Sequence, residues 1–236
     1  MILILDCDNT LYPASLGIMD INDSRINLFI QERFNLSLDE TNELRAKYLR
    51  QYGTTLKGLM ENHHIDPEEY LDFVHSYSLE GILKPNPVLR EFLGGLHFPK
   101  VVLSSANKKH VERVLSHLGI LEQIDDIYDL KRVDYRGKPD PYAYKVVLRD
   151  YPNETAVFVD DRLLNFPPAK ELGFVTVLVD EMAEIHGESE FAGSAIFREE
   201  ARKLQAQKHE IVDFEIHFIE QLASVWHEVI RRTGMR

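Results

Sequence analysis

The sequence predicts an α/β protein, a doubly wound, mainly parallel sheet with an α-helical module inserted after its first strand. Three observations carry that expectation. Four short apolar runs, Ile2 to Leu5, Val101 to Leu103, Ala156 to Val159 and Val175 to Val179, are too short for buried helices, and most are rich in β-branched residues. Their near-continuous apolar character suits strands covered on both faces, as in a parallel sheet. Helical patterns separate the later runs, and the stretch from Ala14 to Asn86 is helical with no convincing strand.

Each element has its own warrant. Ile18, Ile21, Ile26, Phe29 and Ile30 form an apolar stripe, as do Leu44, Tyr48 and Leu49, followed by Tyr70, Phe73 and Val74. Pro85 and Pro87 mark the return to the main domain. Residues 1–13 and 87–236 are therefore expected to form the α/β core, and residues 14–86 an inserted helical domain. A contiguous helical N-terminal domain would leave the first strand without a sheet. Further on, Val111, Val114, Leu115 and Leu118 have the three-and-four spacing of an amphipathic helix that stops at Gly119. Pro141 to Leu148 reads as another helix, with Pro139 and Pro141 at its start. Ala169, Leu172 and Gly173 close a third. Near the C-terminus, Glu184 to Gly193 reads as a polar loop and Phe197 to His209 as a charged, exposed helix. Asp213 to Ile216 reads as a short edge strand, followed by an amphipathic helix on Ile219, Leu222, Val225, Trp226 and Val229.

Composition narrows the function. The 236 residues are 44% hydrophobic and 28% charged, ordinary for a globular chain large enough to bury a core. A net charge of -12 argues against a nucleic-acid binder, which is usually basic. It does not argue against a phosphorylated small molecule, because a local cation can dominate the field of a site. The single cysteine, Cys7, leaves no intramolecular disulfide. No leader pattern and no apolar run of roughly 18 residues is present, so a cytoplasmic protein without a membrane span is expected.

The chemistry concentrates at the predicted strand ends. Leu5-Asp6-Cys7-Asp8-Asn9-Thr10 places two carboxylates two residues apart, which on a regular strand would face the same side. Such a pair repels unless a cation or hydrogen bonds compensate, or else simply caps a turn. Val101 to Leu103 ends in Ser104-Ser105, a phosphate-oxygen site or an N-cap. Lys138 lies in a loop before a helix, where a lysine alone is usually solvated. Val157-Phe158-Val159 ends in Asp160-Asp161, with Asn165 one helical turn later. Two acidic strand ends, a hydroxyl strand end and a lysine in this order are far more specific than any one of them.

In these residues the chain resembles the haloacid dehalogenase-like hydrolase superfamily, with its Rossmann-like core. The first motif matches Asp6-Cys7-Asp8-Asn9-Thr10, the second Ser104, the third Lys138, and the fourth Asp160-Asp161 with Asn165. The helical insertion sits where that superfamily places its type 1 cap. Asp6 to Pro13, Tyr52 to Leu59 and Ala106 to His110 are most similar to its pyrimidine 5'-nucleotidase branch. Ser105 departs from the Asn that commonly follows the second-motif hydroxyl.

The resemblance implies a magnesium-dependent phosphatase working on a small phosphorylated metabolite. It makes Asp6 the nucleophile and Asp8 the general acid and base. It implies Mg²⁺ on the Asp6 carboxylate, the Asp8 backbone carbonyl and Asp161, with Asp160 holding a water of the ion's shell. Ser104, Lys138 and the amides near Asn9 would bind the phosphoryl oxygens, with Thr10 and Ser105 beside them. Lys138 would keep Asp6 ionised. Cys7 is expected to be a buried packing residue. His63, His64 and His75 lack a metal-ligand pattern; His110 is either a substrate contact or a helix-surface residue. Tyr52 and Lys57 are the insert's candidates for substrate contact. A phosphomutase of the same fold and a catalytically silent binding protein are the alternatives, although the silent kind usually lose one of the residues kept here. The dehalogenases of the superfamily lack the second Asp, so Asp8 speaks against that activity. A monomer and a homodimer are equally compatible with the sequence.

Overall fold

The computed structural model describes residues 1–181 and 204–234. They fall into two compact units, one of residues 1–16, 79–181 and 204–234, the other of residues 17–78. The predicted loop at 184–193 and most of the predicted helix at 197–209 lie outside the described residues.

The first unit holds a six-stranded sheet: β1 (Ile2–Leu5), β2 (Lys100–Leu103), β3 (Asp126–Tyr128), β4 (Ala156–Asp160), β5 (Val175–Val179) and β6 (Phe214–Ile216). Every pairing is parallel and the order is β3-β2-β1-β4-β5-β6. The apolar runs are therefore strands, and the edge strand expected near the C-terminus is β6. β3 carries no expectation from the sequence. It is a three-residue strand at the sheet edge that opens with a charged residue, and it lacks a long β-branched run.

Alternation sends the two sets of strand side chains to opposite faces. Ile2, Ile4, Val101, Leu103, Ala156, Phe158 and Leu178 form one face, packed against Ala143, Tyr144 and Val147 of α7 (Pro141–Asp150) and Phe166 and Ala169 of α8 (Phe166–Glu171). Leu3, Leu5, Val102, Val157, Val159 and Val177 on the other face are buried as completely. Burial on both sides explains why these strands read as continuous apolar runs.

Two further helices of this unit matter to the site and its frame. α6 (Lys108–Leu118) is capped at its start by the Asn107 side chain, which accepts from the His110 amide at 3.0 Å, and ends at Gly119 with φ 70°. α5 (Pro87–Gly94) is capped by Asn86. A helix at Leu222–Arg232, here α9, contacts β6.

The second unit is α1 (Ile18–Phe34), α2 (Leu38–Tyr52), α3 (Thr55–His63) and α4 (Pro67–Val74), with no strand among its residues. Ser37 and Glu40 form a reciprocal capping box at α2, and Thr54 and Asp66 cap α3 and α4. Arg45 is buried and bridges to α1 through Asp23 and Asn27 at 2.6 Å each. α2 and α3 approach closely at Gly58, where a Cβ would stand 2.2 Å from Tyr48 Cγ. Tyr48 is itself buried and donates to or accepts from His63 Nε2 at 2.6 Å.

Gly58 therefore reverses an ordinary preference. In an exposed helix, alanine would be better than glycine by about 0.5–1 kcal/mol. Here Gly58→Ala must displace the Tyr48 ring, and overpacking of that kind costs about 1–3 kcal/mol. Thermal melting of the full chain should show a lowered Tm. An unchanged or raised Tm would mean that the α2–α3 contact is looser than described.

Candidate active site

Parallel pairing brings the acidic strand ends together. Leu5 is in register with Val159, and the Asp6 amide donates to the Val159 carbonyl at 2.9 Å, so Asp6 lies beside Asp160. On the other side Leu5 is in register with Val102, which sets Ser104 just past the end of β2. Strand order reverses between β1 and β4, and the crevice at the carboxyl ends of such strands is where doubly wound sheets place their ligands.

Lys138 closes this cluster. Its Nζ donates to Asp6 Oδ1 at 2.6 Å and to Asp160 Oδ2 at 2.7 Å, and it lies 5.5 Å from the Phe158 ring centroid. Lys138 is 6% exposed, so the solvated reading of a loop lysine does not hold. The following residues fix the loop: Asp140 caps α7 through the Tyr142 amide at 2.9 Å and is gripped by Arg136. Burial alone would pull the Lys138 ammonium down, but the Asp160 and Asp6 carboxylates outweigh it and raise its pKa.

Asp6 receives a second donor, the Thr10 hydroxyl, at Oδ2 and 3.1 Å. Burial pushes its carboxyl up to about 6 against the pull of Lys138, with Asp160 and Asp8 adding to the rise. Lys138 therefore keeps Asp6 mostly ionised at neutral pH without bringing it down to the ordinary carboxylate range. Asp160, fully buried, accepts three hydrogen bonds: Lys138 donates to Oδ2, while the Arg162 amide and Asn165 Nδ2 both donate to Oδ1 at 2.8 Å. Asn165 thus turns to Asp160, five residues back, and not to Asp161, four residues back. Burial, then Asp160 and Asp6, push the Asp161 carboxyl well above its usual range.

Asp8 does not share this environment. β1 ends at Leu5, and the chain then enters a hydrogen-bonded turn in which the Leu11 amide donates to the Cys7 carbonyl at 3.0 Å. The strand alternation expected for Asp6 and Asp8 is therefore replaced by four-residue spacing, which pairs Asp6 with Thr10 and Asp8 with Tyr12. The Tyr12 hydroxyl donates to Asp8 Oδ1 at 2.5 Å, and His110 Nε2 lies 2.8 Å from the same oxygen. Tyr12 carries no expectation from the sequence; its position one turn after Asp8 is the available signal. His110 is fully buried, which corrects the helix-surface reading.

The remaining expected residues are placed as follows. Asn9 has φ 60°, the left-handed conformation that asparagine tolerates, and its buried Oδ1 has no hydrogen-bond partner among the described residues. Ser104 is buried, and its Oγ accepts from the Ala106 amide at 3.1 Å; the N-cap of α6 is Asn107 instead. Ser105 is exposed, beside Gly137, where an added Cβ would stand 3.3 Å from Ser105 Oγ. Cys7 is fully buried, and burial and the flanking carboxylates raise its thiol pKa, so it packs as an inert residue. Tyr52, Lys57, His63, His64 and His75 belong to the helical unit. His63 is engaged with Tyr48.

Asp6, Asp160 and Asp161 offer carboxylate oxygens that all lie within 4.8 Å of one another, and among the described residues no histidine or cysteine joins them. An all-oxygen, anionic donor set whose members repel each other fits a hard divalent cation such as Mg²⁺.

Residues 1–173 match the family model described as haloacid dehalogenase-like hydrolase. The chain belongs to the haloacid dehalogenase-like hydrolase family. This hydrolase is similar to phosphate metabolism protein 8 of Saccharomyces cerevisiae, 29% identical over 196 residues that cover 75% of this chain and 60% of that protein. It thus spans about 60% of the length of that curated relative. Among solved structures, it resembles a HAD phosphatase from Thermococcus onnurineus (TM-score 0.57, 18% identity, 95% of this chain and 96% of the other). It also resembles L-2-haloacid dehalogenase from Xanthobacter autotrophicus with chloropropionic acid covalently bound (TM-score 0.54, 16% identity, 96% and 98%). At these identities the two structures establish the fold and not the reaction. No described helix is long and apolar enough to cross a membrane.

Stability should register the charge balance of the site with opposite signs at two positions. A carboxyl with a raised folded-state pKa costs stability above that pKa, and nothing once it is protonated in both states. In chelator at pH 7.5, Asp161→Asn should raise Tm by roughly 2–4 °C, the shift of about 1 kcal/mol in a chain of this size. The gain should shrink as pH falls towards the ordinary aspartate value of 3.8. Lys138→Met, which leaves buried charges uncompensated, should cost about 3–5 kcal/mol. A loss of stability in Asp161→Asn would show that the carboxylates are not in repulsion.

Proposed function

We propose that this hydrolase is a magnesium-dependent phosphomonoesterase that works through an aspartyl-phosphate on Asp6. One observation carries the reading: two carboxylates two residues apart sit in separate surroundings, Asp6 between Lys138 and Thr10, Asp8 against Tyr12 and His110. Carboxylates whose environments differ in this way divide the covalent and the proton-transfer roles between them.

In the first step Asp6 attacks phosphorus, the new P–O bond forms at its carboxylate, and the bond to the leaving oxygen breaks as Asp8 delivers its proton there. In the second, water attacks the aspartyl-phosphate, Asp8 takes the proton, and inorganic phosphate leaves Asp6 free. Lys138 and Ser104 supply donors for phosphoryl oxygens, together with backbone amides around Asn9 and a hydroxyl at Ser105. Mg²⁺, held by the Asp6 carboxylate, the Asp8 backbone carbonyl and Asp161 with Asp160 behind them, would offset the repulsion between an anionic nucleophile and an anionic ester.

For the substrate we favour a nucleoside 5'-monophosphate. The support is the similarity of Asp6 to Pro13, Tyr52 to Leu59 and Ala106 to His110 to the pyrimidine nucleotidase branch. The name of the yeast relative is consistent with phosphate chemistry. In this reading the helical unit is a type 1 cap, with Tyr52 and Lys57 as specificity residues.

Phosphate release should be measured with Mg²⁺ across nucleotides, sugar phosphates and phospholipid-derived esters. UMP and CMP should be hydrolysed in preference to sugar phosphates, and Asp6→Asn should bring release to background while the protein stays folded. If no phosphomonoester is turned over and no aspartyl-phosphate can be trapped, the phosphatase reading is wrong. Activity retained in Asp6→Asn would remove Asp6 as nucleophile.

A further inference from the structure

Lys138 sits at the middle of a segment whose ends are tied to each other. Two residues to either side of it, Arg136 donates to both carboxylate oxygens of Asp140, at 2.9 and 3.1 Å. Four residues to either side, the Tyr142 hydroxyl donates to Asp134 Oδ2 at 2.5 Å. The Arg136 guanidinium lies 4.5 Å from the Tyr142 ring centroid, so the two ties touch. Asp134 and Arg136 are exposed, whereas Lys138 between them and the helix is buried.

The backbone at the start of this segment is unusual. The Arg136 amide donates to the Val133 carbonyl at 2.9 Å, closing a turn with Asp134 and Tyr135 at its centre. Both have positive φ, 53° and 55°, and neither is glycine. Paired left-handed residues are ordinarily Asn-Gly or Asp-Gly, and a bulky tyrosine is an outlier there. Such a conformation persists only where surrounding contacts hold it. Four residues on, Lys138 Nζ meets Asp6 at 2.6 Å and Asp160 at 2.7 Å together, which leaves its backbone little freedom.

We propose that Tyr142 and Asp134 are positioning residues, a strut that holds the left-handed turn and so keeps Lys138 on both carboxylates. The inference rests on the phosphatase reading above and adds to it the means by which the lysine of the site is placed. Neither residue touches the reacting atoms. Both act through the course of the chain from the turn to Lys138, and a misplacement of about 1 Å can cost roughly 100-fold in rate. One exposed hydrogen bond contributes little to the stability of a whole chain, so loss of rate and loss of fold separate.

The test is a set of variants read by melting and by kinetics on 4-nitrophenyl phosphate with Mg²⁺. Tyr142→Phe removes one hydroxyl and keeps the ring against Arg136. Its kcat should fall ~3–10-fold, with KM changed by less than about twofold and Tm lowered by less than about 2 °C. Asp134→Ala should lose at least as much, and adding Tyr142→Phe to it should cost nothing more, because both remove one contact. Asp134→Asn keeps an acceptor and suits the left-handed region, so it should retain the wild-type kcat. Glycine takes that region freely, so in a Tyr135→Gly background Tyr142→Phe should cost less than about twofold. An unchanged kcat in Tyr142→Phe, or the same loss with and without Tyr135→Gly, would overturn the positioning role while the phosphatase reading stands. So would a loss of rate found only where the variant is partly unfolded. No turnover of any phosphomonoester by the wild type would remove both.

Discussion

The geometry of the site depends on one buried ammonium. Parallel pairing of β1 with β4 sets Asp6 beside Asp160, and neither strand can move aside without breaking its ladder. Two unit charges about 4 Å apart repel by about 4 kcal/mol at an effective dielectric of 20, a large fraction of a domain's net stability. Lys138 sits between them with a contact to each, so two attractions of similar size oppose the one repulsion. Its aliphatic stem and the Phe158 ring exclude water from one side, which strengthens the pairing and makes any unpaired charge there costly.

That requirement reaches well beyond the site. Lys138 can be held only if the loop carrying it is anchored, and the anchor is the start of α7, capped by Asp140 and braced by Arg136. α7 packs on β4 through Tyr144, whose hydroxyl donates to the Asn165 carbonyl at 2.7 Å while its ring meets Phe158 edge-on. Asn165 in turn orients Asp160. The lysine, the strand end it pairs with and the turn after that strand are thus fastened to one helix. Hydrophobic packing and site electrostatics are here consequences of the same contacts.

What could be read from sequence follows from which interactions are local. β1, β2, β4 and β5 were legible because burial on both faces demands apolar residues without interruption. β3 was not, because a three-residue edge strand beginning at Asp126 satisfies its backbone on one side only and needs no such run. Asp6, Asp8, Ser104, Lys138 and Asp160-Asp161 were legible as strand-end chemistry in a characteristic order. Their partners were less so. Thr10 and Tyr12 follow from four-residue spacing only once the chain is known to turn at Cys7, and the sequence alone suggested a continued strand. The His110 contact spans 102 residues and depends on where α6 starts, which no local pattern encodes. The same holds for Asn165, whose four-residue spacing pointed to Asp161 while its side chain donates to Asp160.

The early end of β1 has a chemical consequence. Had the strand run on through Asp8, both carboxylates would have faced one side and drawn on the same lysine. One positive charge cannot offset three carboxylates, so one carboxyl would have been held neutral or pushed out of place. The turn at Cys7 carries Asp8 away from Lys138 and delivers it to a hydroxyl and an imidazole, donors suited to fixing a carboxyl that must exist in both protonation states. Asp6 keeps the cation, which suits a group that must stay anionic to attack. On the proposed mechanism, a two-residue separation gives two different functions because the backbone changes from strand to turn between them. Asp6 is placed by the sheet, and Asp8 by the loop and α6, and the two can therefore be tuned separately.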